Sequence, residues 1–412
     1  MRDVYVVGAA MTPFGKFLDT SVKQLTQRAV TDALQDADAG LDEIEAAWFA
    51  NTTQGVLEGQ YLTPGEVALR SMGFQGIPMV NVENACASAS TAFNGAWTAI
   101  RAGTAEVALA VGADKMYDAD KARGFAIFDG AIDVHDAEAT FARLRALGDG
   151  VDPPADAVVS NQQKSPFMEV YACFAKAHMK SFGLTQGQLA AVSSKNHFHS
   201  TLNDKAQFRS AYSVDEVLGA RLISWPLTLP MCAPISDGAA ALILCSEDAL
   251  DRFDRERAVK VHASVLGTGT DRSPDEPERH LTRLAANRAY DIAGLGPEDM
   301  DVAEVHDATA MGEITQSENL GFCALGDGGG LAEDGETRLG GRIPINPSGG
   351  LESKGHPIGA TGLGQLYELT MQLRGEAGPR QVDGARHAIA ENGGGIYGIE
   401  EAVCAITILG RA

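Results

Sequence analysis

The sequence predicts an α/β protein made of two copies of one βα-rich unit, each forming a mostly parallel sheet, with a loop region inserted into the first copy. Three observations carry this reading. Short apolar runs alternate with stretches of helical apolar spacing. The second half repeats the first at a nearly constant offset. A middle region breaks the alternation and reverses the sign of the local charge. At 412 residues the chain also exceeds one ordinary hydrophobic core, as a duplication requires.

The elements follow in order. Asp3 to Gly8 is a buried strand, and Leu25 to Ala37 carries apolar residues at helical spacing. Ala46 to Ala50 is a second strand. Pro78 to Val82 is extended and gives way to an Ala-rich helix, Ala87 to Ile100, with Cys86 at the junction. Glu106 to Val111 (EVALAV) is a strand. The acidic stretch Asp129 to Asp156, with Pro153 and Pro154, reads as loop. Helical segments follow at Tyr171 to Lys180 and Thr185 to Asn196. Between Lys164 and Arg221, seven Lys or Arg face four Asp or Glu in a chain of formal net charge −22. Ala241 to Cys245 returns to strand. The expected organisation is a first half over 1–117 and 230–255, a loop domain over 118–229, and a second half over 256–412.

The repeat itself is specific. Leu25, Thr26, Ala29, Ala33 and Ala37 meet Leu281, Thr282, Ala285, Ala289 and Ala293 at an offset of 256. The preceding strands match in register, with Gly267 over Gly8. The following segments IEAAWFANTTQG and MDVAEVHDATAM also correspond.

Composition excludes several classes. No run of 18 apolar residues exists, so nothing should span a membrane. The strand-like N-terminus is not a signal peptide. Net charge −22 argues against nucleic acid and anionic membranes as partners. Six Cys without paired spacing argue for reduced thiols in the cytoplasm and against a zinc cluster or other metal in this chain.

Two stretches carry chemistry. In NVENACASASTAFNG, Cys86 lies at or near a helix N-terminus, where backbone N–H groups favour a thiolate. A lone Cys in an Ala-rich segment is more often structural. The second stretch, INPSGGLESKGHPIGATGLGQL, lies where the duplication places the counterpart of the Cys86 segment. Its glycines suit a tight turn with backbone against a ligand. His356 and Cys86 are thus expected as pseudo-symmetry mates at a shared surface.

Along nearly its whole length the chain resembles the thiolases. NVENACAS resembles the family's nucleophile segment, and GGLESKGHPIGATG its Gly-His-Pro segment. EVALAVGADKM and PISDGAAALIL are also family-like. VHDAT, Val305 to Thr309, resembles the His-Asp loop of sterol-carrier-type and archaeal-like thiolases. The resemblance implies two βαβαβαββ halves in αβαβα layers with an inserted loop domain. It implies CoA-dependent cleavage of a 3-oxoacyl-CoA, or the reverse condensation, through an acyl-enzyme on Cys86. His356 would lower the Cys86 pKa, and His306 would supply an oxyanion donor. Coenzyme A enters as a substrate. Lys205 and Arg209 in the basic region, with Gly355 and Gly395 in the Gly-rich turns, are the candidate residues for binding it.

The departures from the family matter. The second cysteine of a Cys-x-Gly segment is replaced in AENGGGIYG by Glu391, and the alternative place in the His-Asp loop holds Ala308. Glu391, facing Cys86 with its pKa lifted by burial, is the expected acid/base substitute. Cys404 reads as core. Thiolases of this type resemble those encoded with a small zinc-ribbon/OB-fold subunit, some acting on bulky or aromatic esters such as benzoylsuccinyl-CoA. A homodimer or larger assembly is implied. The competing readings are another condensing enzyme on the same fold, a steroid side-chain aldolase, and a catalytically silent acyl-CoA carrier or scaffold subunit.

Overall fold

The computed structural model describes residues 2–155, 157 and 166–412. Its strands are β1 (Val4–Met11), β2 (Ala46–Ala50), β3 (Met79–Val82), β4 (Val107–Asp114), β5 (Leu222–Ser224), β6 (Leu227–Thr228), β7 (Gly238–Ser246), β8 (Val259–Thr268), β9 (Val302–Glu304), β10 (His387–Gly394) and β11 (Val403–Arg411). Nine of them form one sheet in the order β3-β2-β4-β7-β1-β8-β11-β10-β9. The order is palindromic about the β1–β8 seam, because β1, β7, β4 and β2 stand where β8, β11, β10 and β9 stand in the other half. Even β3 has a counterpart, since Ile345 bridges in parallel to Ala303 beyond β9. The pairing is mixed. It is parallel at β2–β3, β2–β4 and β9–β10 and antiparallel elsewhere, so mostly parallel halves describe only their outer strands.

β1, β4 and β7 are buried at every position, as their unbroken apolar runs require for strands covered on both faces. Helix Val22–Asp36 covers one outer face of the sheet. Helix Leu281–Ala293 covers the other. Helices Ser88–Arg101 and Thr361–Arg374 lie in the core shared by the two halves. The result is the αβαβα layering. Leu25, Thr26, Ala29 and Ala33 are buried, and so are Leu281, Thr282, Ala285 and Ala289. What the repeat preserves is therefore the sheet-facing stripe of each outer helix.

Among the described residues, the chain between β4 and β7 adds no strand to the large sheet; β4 pairs directly with β7, and β5–β6 form a separate ribbon. The acidic stretch is not loop throughout. Helix Ala137–Leu147 forms within it, and Leu144 packs against Ile132, Val170 and Ile396. Ala137, Phe141 and Leu144 recur at helical spacing, and the surrounding charges obscured that stripe. Asp156 and Lys164, ends of the acidic and basic stretches, lie outside the described residues.

Candidate active site

Cys86 sits between β3 and helix Ser88–Arg101, just after Ala85, which holds a left-handed φ of 48°. Non-glycine residues reach that region only when neighbours hold them there. Glu83 Oε1 accepts from Ala85 N at 2.6 Å, and the Ser88 hydroxyl donates to Ala85 O at 2.6 Å. His356 follows Gly355, whose φ is 115°. The His356 N–H donates to Ser236 Oγ at 2.9 Å. Gly359, farther along the same loop, donates its N–H to Asp114 Oδ2 at 2.5 Å, which ties the second-half loop to the end of β4. His306 follows β9, and its N–H donates to Glu391 Oε2 at 2.9 Å.

These placements converge. Cys86 Sγ and a ring nitrogen from each of His306 and His356 lie within 4.8 Å of one another. The two imidazoles meet edge to face with centroids 5.2 Å apart. All three line a cavity of about 380 Å³, walled by apolar side chains that include Met116, Phe128, Phe167, Met168 and Ile358. A second cavity of about 550 Å³ shares Phe128, Phe167 and Met168 with it and is lined also by Phe208, Tyr212 and Arg221. One thiol and two imidazoles could also hold a soft divalent metal.

Burial dominates the electrostatics. The Cys86 thiol keeps only partial exposure, and burial pushes it up to about 12. The Gly395 and Cys86 N–H groups pull in the opposite direction, and Asp114 adds to the rise. The expected lowering of the thiol pKa is therefore not what this resting site does, because desolvation outweighs the helix terminus. Burial also lowers His306 to about 4. His356 is held well below its ordinary value by burial, with His306 and Lys354 adding to the effect. Both rings are neutral at pH 7. His356 Nδ1 lies 2.6 Å from Thr361 Oγ1, whose own proton goes to Pro357 O at 2.9 Å. Nδ1 is therefore the protonated nitrogen and Nε2 the free base. Among the described residues neither ring nitrogen of His306 has a hydrogen-bond partner, although the residue is 2% exposed.

The other candidates are placed differently. Glu391 is fully buried, with Oε2 on the His306 N–H and Oε1 3.6 Å from the Cys404 thiol. It is not among the residues lining the Cys86 cavity, so the expectation that its carboxylate faces Cys86 is corrected. Lys205 is not a free phosphate-binding cation, since its Nζ donates to Met11 O at 2.8 Å and lies over the Tyr367 ring. Arg209 is exposed. Gly355 serves packing, because a Cβ there would come within 2.7 Å of Ser236 Oγ; Gly395 lines the cavity. Asp307 forms no ion pair with His306. Its carboxylate accepts from Leu351 N at 2.7 Å and Asn196 Nδ2 at 3.1 Å, holding the Gly-rich loop from beneath. Sequence reasoning passed over Glu401, a buried carboxyl lining the cavity, raised to about 6 mainly by burial. Its only signal was a second acid at the end of the Gly-rich turn.

Comparison with known proteins agrees with this architecture. The thiolase N-terminal domain model matches residues 4–212, and the thiolase C-terminal domain-like model matches 271–410. An acetyl-CoA acetyltransferase of Methanothermobacter thermautotrophicus is 37% identical over 97% of this chain and 98% of its own length. The benzoylsuccinyl-CoA thiolase subunit BbsB of Thauera aromatica is 31% identical over 93% of this chain and 92% of its own. The solved Ltp2-ChsH2(DUF35) aldolase shares the fold with a TM-score of 0.77 at 23% identity, covering 99% of this chain and 98% of that one. Matched in both halves and aligned with relatives over nearly its whole length, this chain belongs to the thiolase family, enzymes of CoA-dependent thiolytic cleavage and condensation.

Proposed function

We propose that the chain transfers an acyl group through a thioester on Cys86. The observation that carries this is the meeting of Cys86, His306 and His356 within 4.8 Å at an apolar cavity. His356 Nε2 takes the thiol proton as the sulfur attacks the 3-keto carbon of a 3-oxoacyl-CoA. A thiol that stays protonated until substrate arrives needs such a base. The unpartnered His306 ring donates to the developing oxyanion, and the Gly395 and Cys86 N–H groups supply a second donor pair. Glu391 acts through His306 as a positioning residue.

The two adjoining cavities support a bulky or aromatic acyl group, of the kind named in the Thauera relative. Coenzyme A phosphates would bind near Arg221, which lines the outer cavity, and the exposed Arg209, rather than at Lys205. β3 is an unpaired sheet edge with Val80 42% exposed, which supports a homodimer formed along it. A small zinc-ribbon/OB-fold partner is supported by the relative named as a subunit. No helix among the described residues is long and apolar enough to cross a membrane, and the cysteines are unpaired, which supports a reducing cytoplasm.

The test is mass spectrometry after mixing with acyl-CoA, alongside CoA-dependent cleavage of a panel from acetoacetyl-CoA to benzoylsuccinyl-CoA. An acyl adduct on Cys86, absent in Cys86→Ser, is expected, with turnover falling to background in the variant. Binding without an adduct would favour the silent carrier. Cleavage that survives Cys86→Ser would favour an aldolase-type reaction.

A further inference from the structure

A thiolase reaction must move a proton on and off the substrate's α-carbon and the CoA sulfur. Glu391 is committed to the His306 N–H and lies behind the cavity wall. Another carboxyl stands in that wall. Glu401 is 7% exposed and lines the Cys86 cavity, and it also lines two depressions on the cavity's other side. One is a mainly apolar side pocket that also holds His178, His280 and Glu318; the other is a groove holding Arg143 and Asp271. Tyr171 likewise lines both the Cys86 cavity and the side pocket. These two titratable side chains therefore stand between the reaction chamber and the depressions that adjoin it.

We infer that Glu401 is the acid/base of the reaction and that Tyr171 sits beside it as the hydroxyl of the same proton path. The inference rests on the Cys86 thioester reading. In the first half-reaction the Cys86 sulfur bonds to C3 and the C2–C3 bond breaks, its electron pair passing to C2. The Glu401 carboxylic acid gives its proton to C2 and becomes a carboxylate. In the second half-reaction that carboxylate takes the proton of the CoA thiol, the CoA sulfur bonds to the acyl carbon, and Cys86 leaves as a thiolate that takes back its proton from His356. Protons balance over the cycle, and no redox partner is needed.

The surroundings suit a group that must work in both forms. Burial raises the Glu401 carboxyl to about 6, Glu400 beside it adds to the rise, and Arg272 opposes it. His280 Nε2 lies 3.8 Å away, and burial lowers that ring to about 3, so it faces Glu401 as a neutral group. Glu391 on β10 and Cys404 on β11 are further titratable groups near it, and Glu83, Arg143 and Asp271 line the same depressions. Burial raises the Tyr171 phenol well above its ordinary value, with the Glu401 charge the next cause and Cys86 after it.

The experiment uses acetoacetyl-CoA with CoA for turnover and acetyl-CoA for adduct formation. Glu401→Gln is expected still to form acetyl-Cys86, but more slowly than wild type because the departing CoA sulfur lacks its proton donor, while steady-state thiolysis falls roughly 100- to 10,000-fold. In wild type, kcat/KM for acetoacetyl-CoA should fall, and kcat/KM for CoA should rise, as pH climbs through about 6. Both inflections should vanish in Glu401→Gln. They should return, shifted, with partial activity in Glu401→Asp, which also serves if the Gln variant does not fold. Tyr171→Phe should lower turnover without abolishing the adduct. Unchanged turnover and pH profile in Glu401→Gln, with the adduct intact, would overturn the inference alone. Absence of any Cys86 adduct in wild type would overturn the thioester reading and this assignment with it.

Discussion

Burial fixes the charge state of each group around Cys86 before substrate enters. The thiol is pushed up to about 12, and both imidazoles are neutral, so the site is a thiol beside a free base rather than a preformed ion pair. Glu391 shows how the same physics reaches stability. Burial, then the charge of Glu401, raises it from 4.5 to about 8. The folded state therefore binds this proton more tightly than the unfolded chain, and stability falls as pH rises between those values. Glu391→Gln keeps an acceptor for the His306 N–H and carries no charge. The melting temperature of the variant relative to wild type is expected to climb from pH 5 to pH 8, with turnover reduced far less than in Glu401→Gln. A flat difference across that range would contradict the buried-acid reading. Cys86, His306 and His356 were legible as sequence because motif and repeat marked them. Glu391 was legible by its place in the chain, which does not show which way a buried side chain turns, and Glu401 carries no motif, since only the fold brings it to the wall of the Cys86 cavity.

The elements that carry these residues meet with little space between them. A Cβ on Gly362 would come within 2.0 Å of Ser90 Oγ and 2.8 Å of Ser90 N, where helices Ser88–Arg101 and Thr361–Arg374 cross. Backbone lies among those contacts, so a rotamer change cannot make room. Gly362→Ala is expected to destabilise the protein by about 1–3 kcal/mol. Denaturant unfolding measures this, and an unchanged midpoint with unchanged slope would show that the central helices separate more easily than their packing indicates. Gly394 has the corresponding function at the site, because a Cβ there would lie 2.5 Å from Asn84 O and 3.0 Å from Cys86 N. Strands β1, β2, β4 and β7 and the outer helices were readable from apolar pattern, since each buries a run or a stripe, whereas β3 buries none of its residues. The helix Ala137–Leu147 was not, because acidic residues and prolines around it gave a stronger loop signal than its few apolar positions.

At the scale of the whole molecule, the proposed active site draws on both halves, with Cys86 from one and His306 and His356 from the other. Among the described residues the sheet joins the halves through two paired positions, Tyr5 with Lys260 and Val6 with Val259. Polar contacts reinforce this seam. Asp36, at the end of the first outer helix, accepts from Arg257 at 2.6 Å and Arg374 at 2.8 Å, both second-half side chains, and from Ala9 N at 2.9 Å. Burial by itself would raise its pKa, but the two guanidinium groups prevail and hold it below the ordinary 3.8. A depressed carboxyl contributes stability above its unfolded pKa and loses it as pH falls through the folded value. Asp36→Ala should therefore destabilise the protein by about 1.5–3 kcal/mol near neutral pH, the range for hydrogen bonds to a charged group. That difference from wild type should shrink as pH drops below about 3.8. None of the side chains at Cys86 depends on Asp36, so the folded variant at 25 °C should keep its turnover. Calorimetry at pH 7 and pH 3, with turnover measured alongside, separates the outcomes. A stability loss that persists undiminished at low pH would assign Asp36 a packing role and leave the β1–β8 pairing and the shared helical core to hold the halves together.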